Sequence, residues 1–274
     1  MRLIERIMHL HYVSSNETSN EQTINHLRRG RIETLKLPAA TVEILPGVVW
    51  GQFEDFFTPA FWVSRLWIDG EASSFAEYKI GKSLREEVAA CLLGGFGMPA
   101  EVGLAAFERL RSQQMLNGAA SCEEVEAVLR IPLSIRGRQI KYRYPRQKSR
   151  FFAAAMARLN HETPPSGSKE FRDWLLTFNG IGPKTASWIT RNHLNADDVA
   201  ILDIHVLRAG MLMGLFPREH QLPRDYFPLE ARLVAFSRAI NVKLSRFDSV
   251  IWCYMRQMST FAISALSGSA PVQA

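Results

Sequence analysis

Cysteine is scarce in this sequence. Cys91, Cys122 and Cys253 are the only three, and their wide separation provides neither a CxxC metal knuckle nor a paired disulfide framework. No HExxH or similar metal-ligand spacing occurs, so no metal and no other cofactor is expected. Uninterrupted apolar runs are also missing. The longest apolar region, Val88 to Phe107, is broken by Gly94, Gly95, Gly97, Pro99 and Glu101, and reads as two soluble helices around a turn rather than a membrane span. The opening MRLIERIMHLHYV is interrupted by Glu5, Arg6 and His9, which does not suit the apolar core of a signal peptide. A reducing, intracellular compartment fits these absences. A last one is local: from Ala127 through His161 there is no Asp or Glu, while nine Lys or Arg occur. That stretch is a candidate phosphate-facing surface.

What is present fits a globular, mainly α protein. The 274 residues, 47% hydrophobic, suffice for one large domain or two closely packed ones, and the net charge of +6 mildly favours a polyanionic partner. Residues 14–25, SSNETSNEQTIN, are nearly all polar and read as an exposed loop or arm. Residues 40–52, ATVEILPGVVWGQ, place β-branched residues around Pro-Gly and give the one strand candidate, a short β-hairpin near the N-terminus. From Ser83 the pattern turns helical. Leu84, Val88, Cys91 and Leu92 recur at helical spacing until Gly94 and Gly95. Pro99 suits the first turn of the next helix, and Ser121 with two glutamates opens a third. Pro145 starts a helix with Phe151, Phe152, Ala155 and Leu159 on one stripe and Arg146, Lys148 and Arg150 around it. After the linker Thr163 to Ser168, a helix capped by Ser168 carries Phe171, Trp174, Leu175 and Phe178.

The chemistry concentrates in two segments. Phe178 to Ile189 reads FNGIGPKTASWI: Gly180 and Gly182 bracket Ile181, and a helix restarts at Pro183. Two helices joined this way form a helix-hairpin-helix. Its glycines can take positive φ and expose N–H groups beside a helix N-terminus, which suits a nucleic-acid phosphate. Hairpins of this kind also serve purely as backbone-binding modules. In Val199 to Gly210, VAILDIHVLRAG, an apolar run ends abruptly at Asp203 and a helix follows. Taken alone, an aspartate there reads as a helix cap.

Together and in this order, the two segments resemble the helix-hairpin-helix DNA glycosylase superfamily, in which a GxGxK or GxGxx hairpin precedes a loop ending in a catalytic Asp. Lys184 narrows the resemblance to the bifunctional glycosylase/lyases, nearest the compact microbial 8-oxoguanine DNA glycosylases. CLLGGFGMPAEVGLAAFERL is similar to that branch's helix-turn-helix, RYPRQKSRFF to its basic segment and FDSVIW to its late L-D-x-x-x-W, so the similarity spans roughly Leu84 to Met258. The resemblance implies a two-lobed helical bundle, with residues 1–82 as an N-terminal extension of unclear role, 83–258 as the glycosylase core with its hairpin at 178–189, and 259–274 as a tail. It implies a monomer of the cytoplasm or nucleoid acting on double-stranded DNA that contains a modified base. Such an enzyme flips the target nucleotide out of the duplex. Lys184 would attack C1′ as a neutral amine, its pKa lowered by burial and by the helix starting at Pro183. Asp203 would stabilise positive charge developing on the sugar.

The resemblance assigns further residues. Gly180, Gly182, Thr185, Arg143, Arg146 and Lys148 would bind the DNA backbone. His205 matches a phosphate contact, with a buried or capping histidine as its other reading. Asp248 and Trp252 match the late motif and would touch the flipped base, although Trp252 also fits an ordinary core position. Two departures stand out. Where the family fills the vacated base position with a polar side chain, this chain has Gly94-Gly95-Phe96-Gly97-Met98, so Phe96 is either an apolar wedge or a core aromatic. No Lys follows Trp252, where the compact branch has a TG…K tail used in base recognition. A monofunctional glycosylase for alkylated or hypermodified bases and a non-catalytic DNA-binding protein are the competing readings.

Overall fold

The computed structural model describes residues 21–69, 79–95 and 97–268. Among them are eleven α-helices and three two-stranded antiparallel hairpins, so the chain is mainly α. It divides into two compact units. One holds residues 1–75, 203–220 and 232–274, and the other holds 76–202 and 221–231. The sequence segmentation follows motifs and the units follow packing, so they cut the chain at different places.

The second unit contains α2 (Leu84–Leu93), α3 (Ala100–Ser112), α4 (Cys122–Arg130), α5 (Pro145–Arg158), α6 (Ser168–Leu176) and α7 (Pro183–Leu194). Local signals start most of them. Ser83 caps α2 by accepting the Glu86 N–H, and Ser121 and Glu124 close a reciprocal capping box on α4. Prolines occupy the first turns of α5 and α7, where a missing N–H costs nothing. The apolar stripes meet in one core that includes Leu92, Leu93, Phe107, Leu110, Leu129, Phe152 and Phe171, all below 2% exposed. Gly103 lets α3 approach the end of α2, because a Cβ there would lie 2.9 Å from the Gly94 Cα.

The first unit contains β1 (Gln22–Arg28) paired with β2 (Arg31–Leu37), and β3 (Glu43–Leu45) paired with β4 (Val48–Val49). It also holds α1 (Pro59–Asp69), α8 (Ile204–Leu212), α10 (Leu244–Gln257) and α11 (Ser259–Ser267). Helix α9 (Tyr226–Ala239) runs from the second unit into the first, changing at Arg232. Here α8 packs on α10 and α11, α1 packs on α10, and rings of Phe57, Phe61, Trp62, Tyr254 and Phe261 gather around α1.

The Pro46-Gly47 hairpin forms as the sequence predicts. Two others do not follow from it. Residues 22–25 of the stretch read as a loop belong to β1, whose full register with β2 runs from Gln22↔Leu37 to Arg28↔Arg31. Within the basic stretch, β5 (Leu133–Ile135) pairs with β6 (Arg138–Ile140). Their turns, Arg29-Gly30 and Arg136-Gly137, have both residues at positive φ, the geometry of a two-residue hairpin turn. Ser168 is the first residue of α6 rather than its cap. Gly167 takes the cap position, and the Ser168 hydroxyl donates to Asp198 at 2.6 Å.

Candidate active site

The turn between α6 and α7 shows why each residue of Gly180-Ile181-Gly182-Pro183-Lys184 is there. Gly180 has φ +88°, and a Cβ on it would fall 2.4 Å from the Phe151 ring, so only glycine fits on both counts. Ile181 is buried and pins the turn to the core. Gly182 differs from the expectation of positive φ. It is extended at φ −98° and ψ 177°, exposed, with nothing within 4 Å of a would-be Cβ. It provides no side-chain cap for α7, and Pro183 has no N–H to offer, so the Lys184 and Thr185 amides have no side-chain acceptor at the positive end of the helix. That is a ready cradle for a phosphate oxygen.

Lys184 stands in the first turn of α7, and its side chain is exposed, contrary to the burial expected from the sequence. It is near enough to Cys91 on α2 for the two to interact electrostatically. Burial and then Glu87 push the Cys91 thiol well up, while the Lys184 ammonium pulls it back. Glu87 fastens α7 to α2. Its carboxylate is 3% exposed and accepts from Trp188 Nε1 at 2.9 Å and Asn192 Nδ2 at 3.1 Å, both on α7. Its other oxygen accepts the Ile80 and Gly81 N–H groups at 3.1 and 2.8 Å.

Asp203 is the N-cap of α8, so the capping geometry is real. Its Oδ1 accepts the backbone N–H of His205 and of Val206, each at 2.9 Å. Both bonds fall on one oxygen; Oδ2 accepts none among the described residues. The carboxylate is 9% exposed. The segment ending one residue before it is locked from α9. Tyr226 Oη donates to the Ala200 carbonyl at 2.8 Å and accepts the Leu202 N–H at 3.2 Å, and Glu230 accepts the Ala200 N–H at 3.0 Å. The same buried Glu230 accepts the Ser187 hydroxyl of α7 at 3.0 Å and pairs with Arg172 of α6. Its carboxyl is nonetheless held above the ordinary range by burial, against the pull of these partners. Ser187 lies three residues past Lys184. One carboxylate therefore joins the lysine-bearing helix to the stretch leading into Asp203.

The other assigned residues divide between the units. His205 is half-buried in the first turn of α8, and buried Asp248 and half-buried Trp252 lie one helical turn apart on α10, with the Arg256 guanidinium 4.8 Å above the Trp252 ring. These share the first unit with Asp203. Gly180, Gly182, Lys184, Thr185, Arg143, Arg146 and Lys148 lie in the second. Arg146 is exposed, but two of the basic residues are engaged within the protein. Lys148 donates to the Gly94 carbonyl at 2.9 Å, its ammonium pushed below the ordinary lysine range by burial, and Arg143 donates to the Gly97 carbonyl at 2.7 Å. With Tyr142 Oη on the Leu93 carbonyl at 2.6 Å, they brace the glycine-rich turn after α2. Phe96, within that turn, lies outside the described residues.

Tyr142, Glu87, Tyr226 and Glu230 are not legible in the sequence as site-shaping residues, because the partners through which each joins separate elements lie 24 to 105 positions away. Arg158 is a fifth. It clasps Glu162 through two hydrogen bonds of 2.7 and 2.8 Å, donates to the Thr177 carbonyl at 2.9 Å and lies 3.9 Å over the Phe178 ring, holding the entry to the hairpin. Among the described residues no group of three or more His, Cys, Asp or Glu could hold a metal ion, and no helix is long and apolar enough to cross a membrane.

A bundle whose tight glycine turn opens an uncapped helix, followed by an aspartate that caps the next, defines the helix-hairpin-helix glycosylase class of fold. Residues 69–242 match the family described as 8-oxoguanine DNA glycosylase, and the chain belongs to that family. The 8-oxoguanine DNA glycosylase/AP lyase of Methanocaldococcus jannaschii is 36% identical over 96 residues, which are 32% of this chain and 43% of that relative's length. Among solved structures, the 8-oxoguanine DNA glycosylase of Thermotoga maritima superposes with a TM-score of 0.53 at 24% identity, covering 72% of this chain and 97% of that one. The Methanocaldococcus jannaschii enzyme gives the same score and identity, covering 72% and 93%.

Proposed function

We infer that this protein is a DNA glycosylase with associated lyase activity, acting on duplex DNA that contains 8-oxoguanine or a related oxidised guanine. The observation that carries the reading is the ordered pair: Lys184 beside the uncapped amides of α7, and Asp203 with one carboxylate oxygen engaged in capping and the other open. In the reaction, the hairpin amides hold a phosphate while the target nucleotide swings out of the stack. The neutral Lys184 amine attacks C1′ as the C1′–N bond breaks, and the departing base takes the bond's electrons and a proton. Asp203 stabilises the cationic sugar as it forms. After the amine loses its proton, the sugar ring opens to a Schiff base on Lys184. Loss of a C2′ proton then expels the 3′ phosphate and cuts the strand. In the protein alone the Lys184 side chain is exposed at the start of α7, open to an incoming sugar.

Borohydride trapping tests this directly. Wild type incubated with lesion-containing duplex should yield a covalent protein–DNA adduct, and Lys184→Gln should yield none. The absence of any wild-type adduct across a panel of oxidised bases would overturn the lyase assignment. The exposure of Lys184 favours one second reading, a monofunctional glycosylase in which this lysine contacts phosphate and Asp203 activates water. In that case Lys184→Gln still releases base. Base release by neither wild type nor Asp203→Asn, with binding intact, would indicate a non-catalytic DNA-binding protein. Mass spectrometry of the free base released from damaged or naturally modified DNA identifies the substrate.

A further inference from the structure

The β1–β2 hairpin precedes the family-matched segment, and its tip is not explained by packing. One face of the hairpin is tied down. Gln22 Nε2 donates to the Pro38 and Gly51 carbonyls at 2.8 and 3.0 Å, and Ile24 is 1% exposed. Arg28 lies 5.7 Å over the Trp67 ring while donating to the Trp67 and Ile68 carbonyls at the end of α1. The opposite face is bare at its tip: Leu27 and Ile32 are partners across the ladder and are 67% and 74% exposed. Arg29, Gly30 and Arg31 complete that tip.

Arg29 has φ +51°, a backbone region that favours Gly, Asn or Asp over arginine, so the turn itself gives no reason for the side chain. The matching turn at Arg136-Gly137 is instructive. There the Arg136 guanidinium pairs with Glu101 at 3.0 Å, whereas the Arg29 and Arg31 side chains make no hydrogen bond or ion pair among the described residues.

We propose that this tip is a second contact for duplex DNA, with Arg29 and Arg31 on phosphates or in the minor groove and the Leu27–Ile32 pair against the groove wall. The proposal rests on the DNA-directed function argued above. Charge and size select the partner. Two unengaged guanidiniums flank only two exposed aliphatic side chains, far short of the roughly 800 Å² a side that a stable protein interface needs. Arginines with a small apolar wedge are the chemistry of groove insertion.

Equilibrium binding to a lesion-containing duplex over a salt series tests it. The double variant R29A/R31A should bind more weakly, with a log K against log salt slope shallower by about 1.8, about 0.9 for each phosphate no longer neutralised. R29K/R31K should keep the wild-type slope. L27S/I32S should weaken binding with the slope unchanged. Arg29→Gly separates folding from binding: glycine suits the turn, so its melting temperature should not fall, yet the slope should shrink by about 0.9. A wild-type slope and affinity in both R29A/R31A and Arg29→Gly would overturn the proposal. So would tip-dependent flotation on anionic phosphatidylserine vesicles with DNA binding untouched. If wild type binds no DNA at any salt, the glycosylase reading fails as well; if it binds and traps but the tip variants match it, only the tip assignment fails.

Discussion

In the unit that carries Lys184, six helices follow one another along the chain and are fastened by polar side chains that reach between them. In the unit that carries Asp203, three separated stretches close around aromatic rings and a glycine-permitted contact of α8. The difference bears on how each side chain is held. The lysine helix is positioned by directional, desolvated hydrogen bonds from Glu87 and Glu230, which tolerate no missing partner. The aspartate helix is positioned by shape: a Cβ on Gly210 would fall 2.1 Å from the Phe216 ring. The first kind of site should fail by leaving a charge unpaired, and the second by overpacking.

Four substitutions probe that contrast, in descending order of expected effect on stability. Glu230→Ala leaves Arg172 without its buried partner, only the exposed Asp173 remaining, and should cost about 3–5 kcal/mol in urea unfolding; a loss below about 1 kcal/mol would show that the polar staple is not what holds α7. Gly210→Ala should cost about 1–3 kcal/mol by overpacking, and an unchanged denaturation midpoint would mean that the first unit gives way easily at Phe216. Asp203→Asn should change stability by no more than a few tenths of a kcal/mol, because asparagine caps as well as aspartate. Single-turnover base release by that variant should nevertheless drop by about 10²–10⁴. Equal losses in both measurements would reduce Asp203 to a cap.

The smallest effect is a pH effect. Hydrogen bonds from Arg158 and then Trp174 hold the Glu162 carboxyl down to about 2. A depressed carboxylate stabilises fully above its unfolded value of about 4.3 and loses that contribution as the pH falls through its folded value. Glu162→Gln should therefore be slightly less stable than wild type above that window, and the two should converge towards pH 2. A constant difference across the window would mean that the clasp acts through packing of Arg158 on Phe178 rather than through charge.

Most of the second unit is readable because its signals are local. Ser83, Ser121, Pro145 and Pro183 mark helix starts within the turn they begin, and the Gly180 to Lys184 segment names its own geometry. The hairpins β1–β2 and β5–β6 are hidden because their turns use Arg-Gly instead of Asn-Gly or Asp-Gly, and because the inward positions of β1 include Gln22, His26 and Arg28 beside the single aliphatic Ile24. Polar residues can face inward there because Trp67 and the carbonyls at the end of α1 receive His26 and Arg28, and the Pro38 and Gly51 carbonyls receive Gln22. Ser168 misleads because a serine before an apolar stripe looks like a cap whether or not its hydroxyl has a better acceptor in Asp198. Lys184 reads as buried because the chemistry proposed for it asks for a neutral amine, but the fold leaves its side chain exposed.

The way the chain threads the two units also sets a timetable for its birth. Residues 79–202 leave the ribosome as one run of near-neighbour helices, able to condense as they emerge. The β3–β4 turn and helix α1 are made earlier yet must wait for the last quarter of the chain. The Arg232 side chain reaches the Pro46 carbonyl across 186 positions, and the Tyr254 hydroxyl reaches Asp69 across 185. During that interval Phe57, Phe61 and Trp62 have no finished core to enter. The nascent protein should therefore depend on holdase chaperones through its oldest residues, and a version starved of them should aggregate through α1 rather than through the turn between α6 and α7.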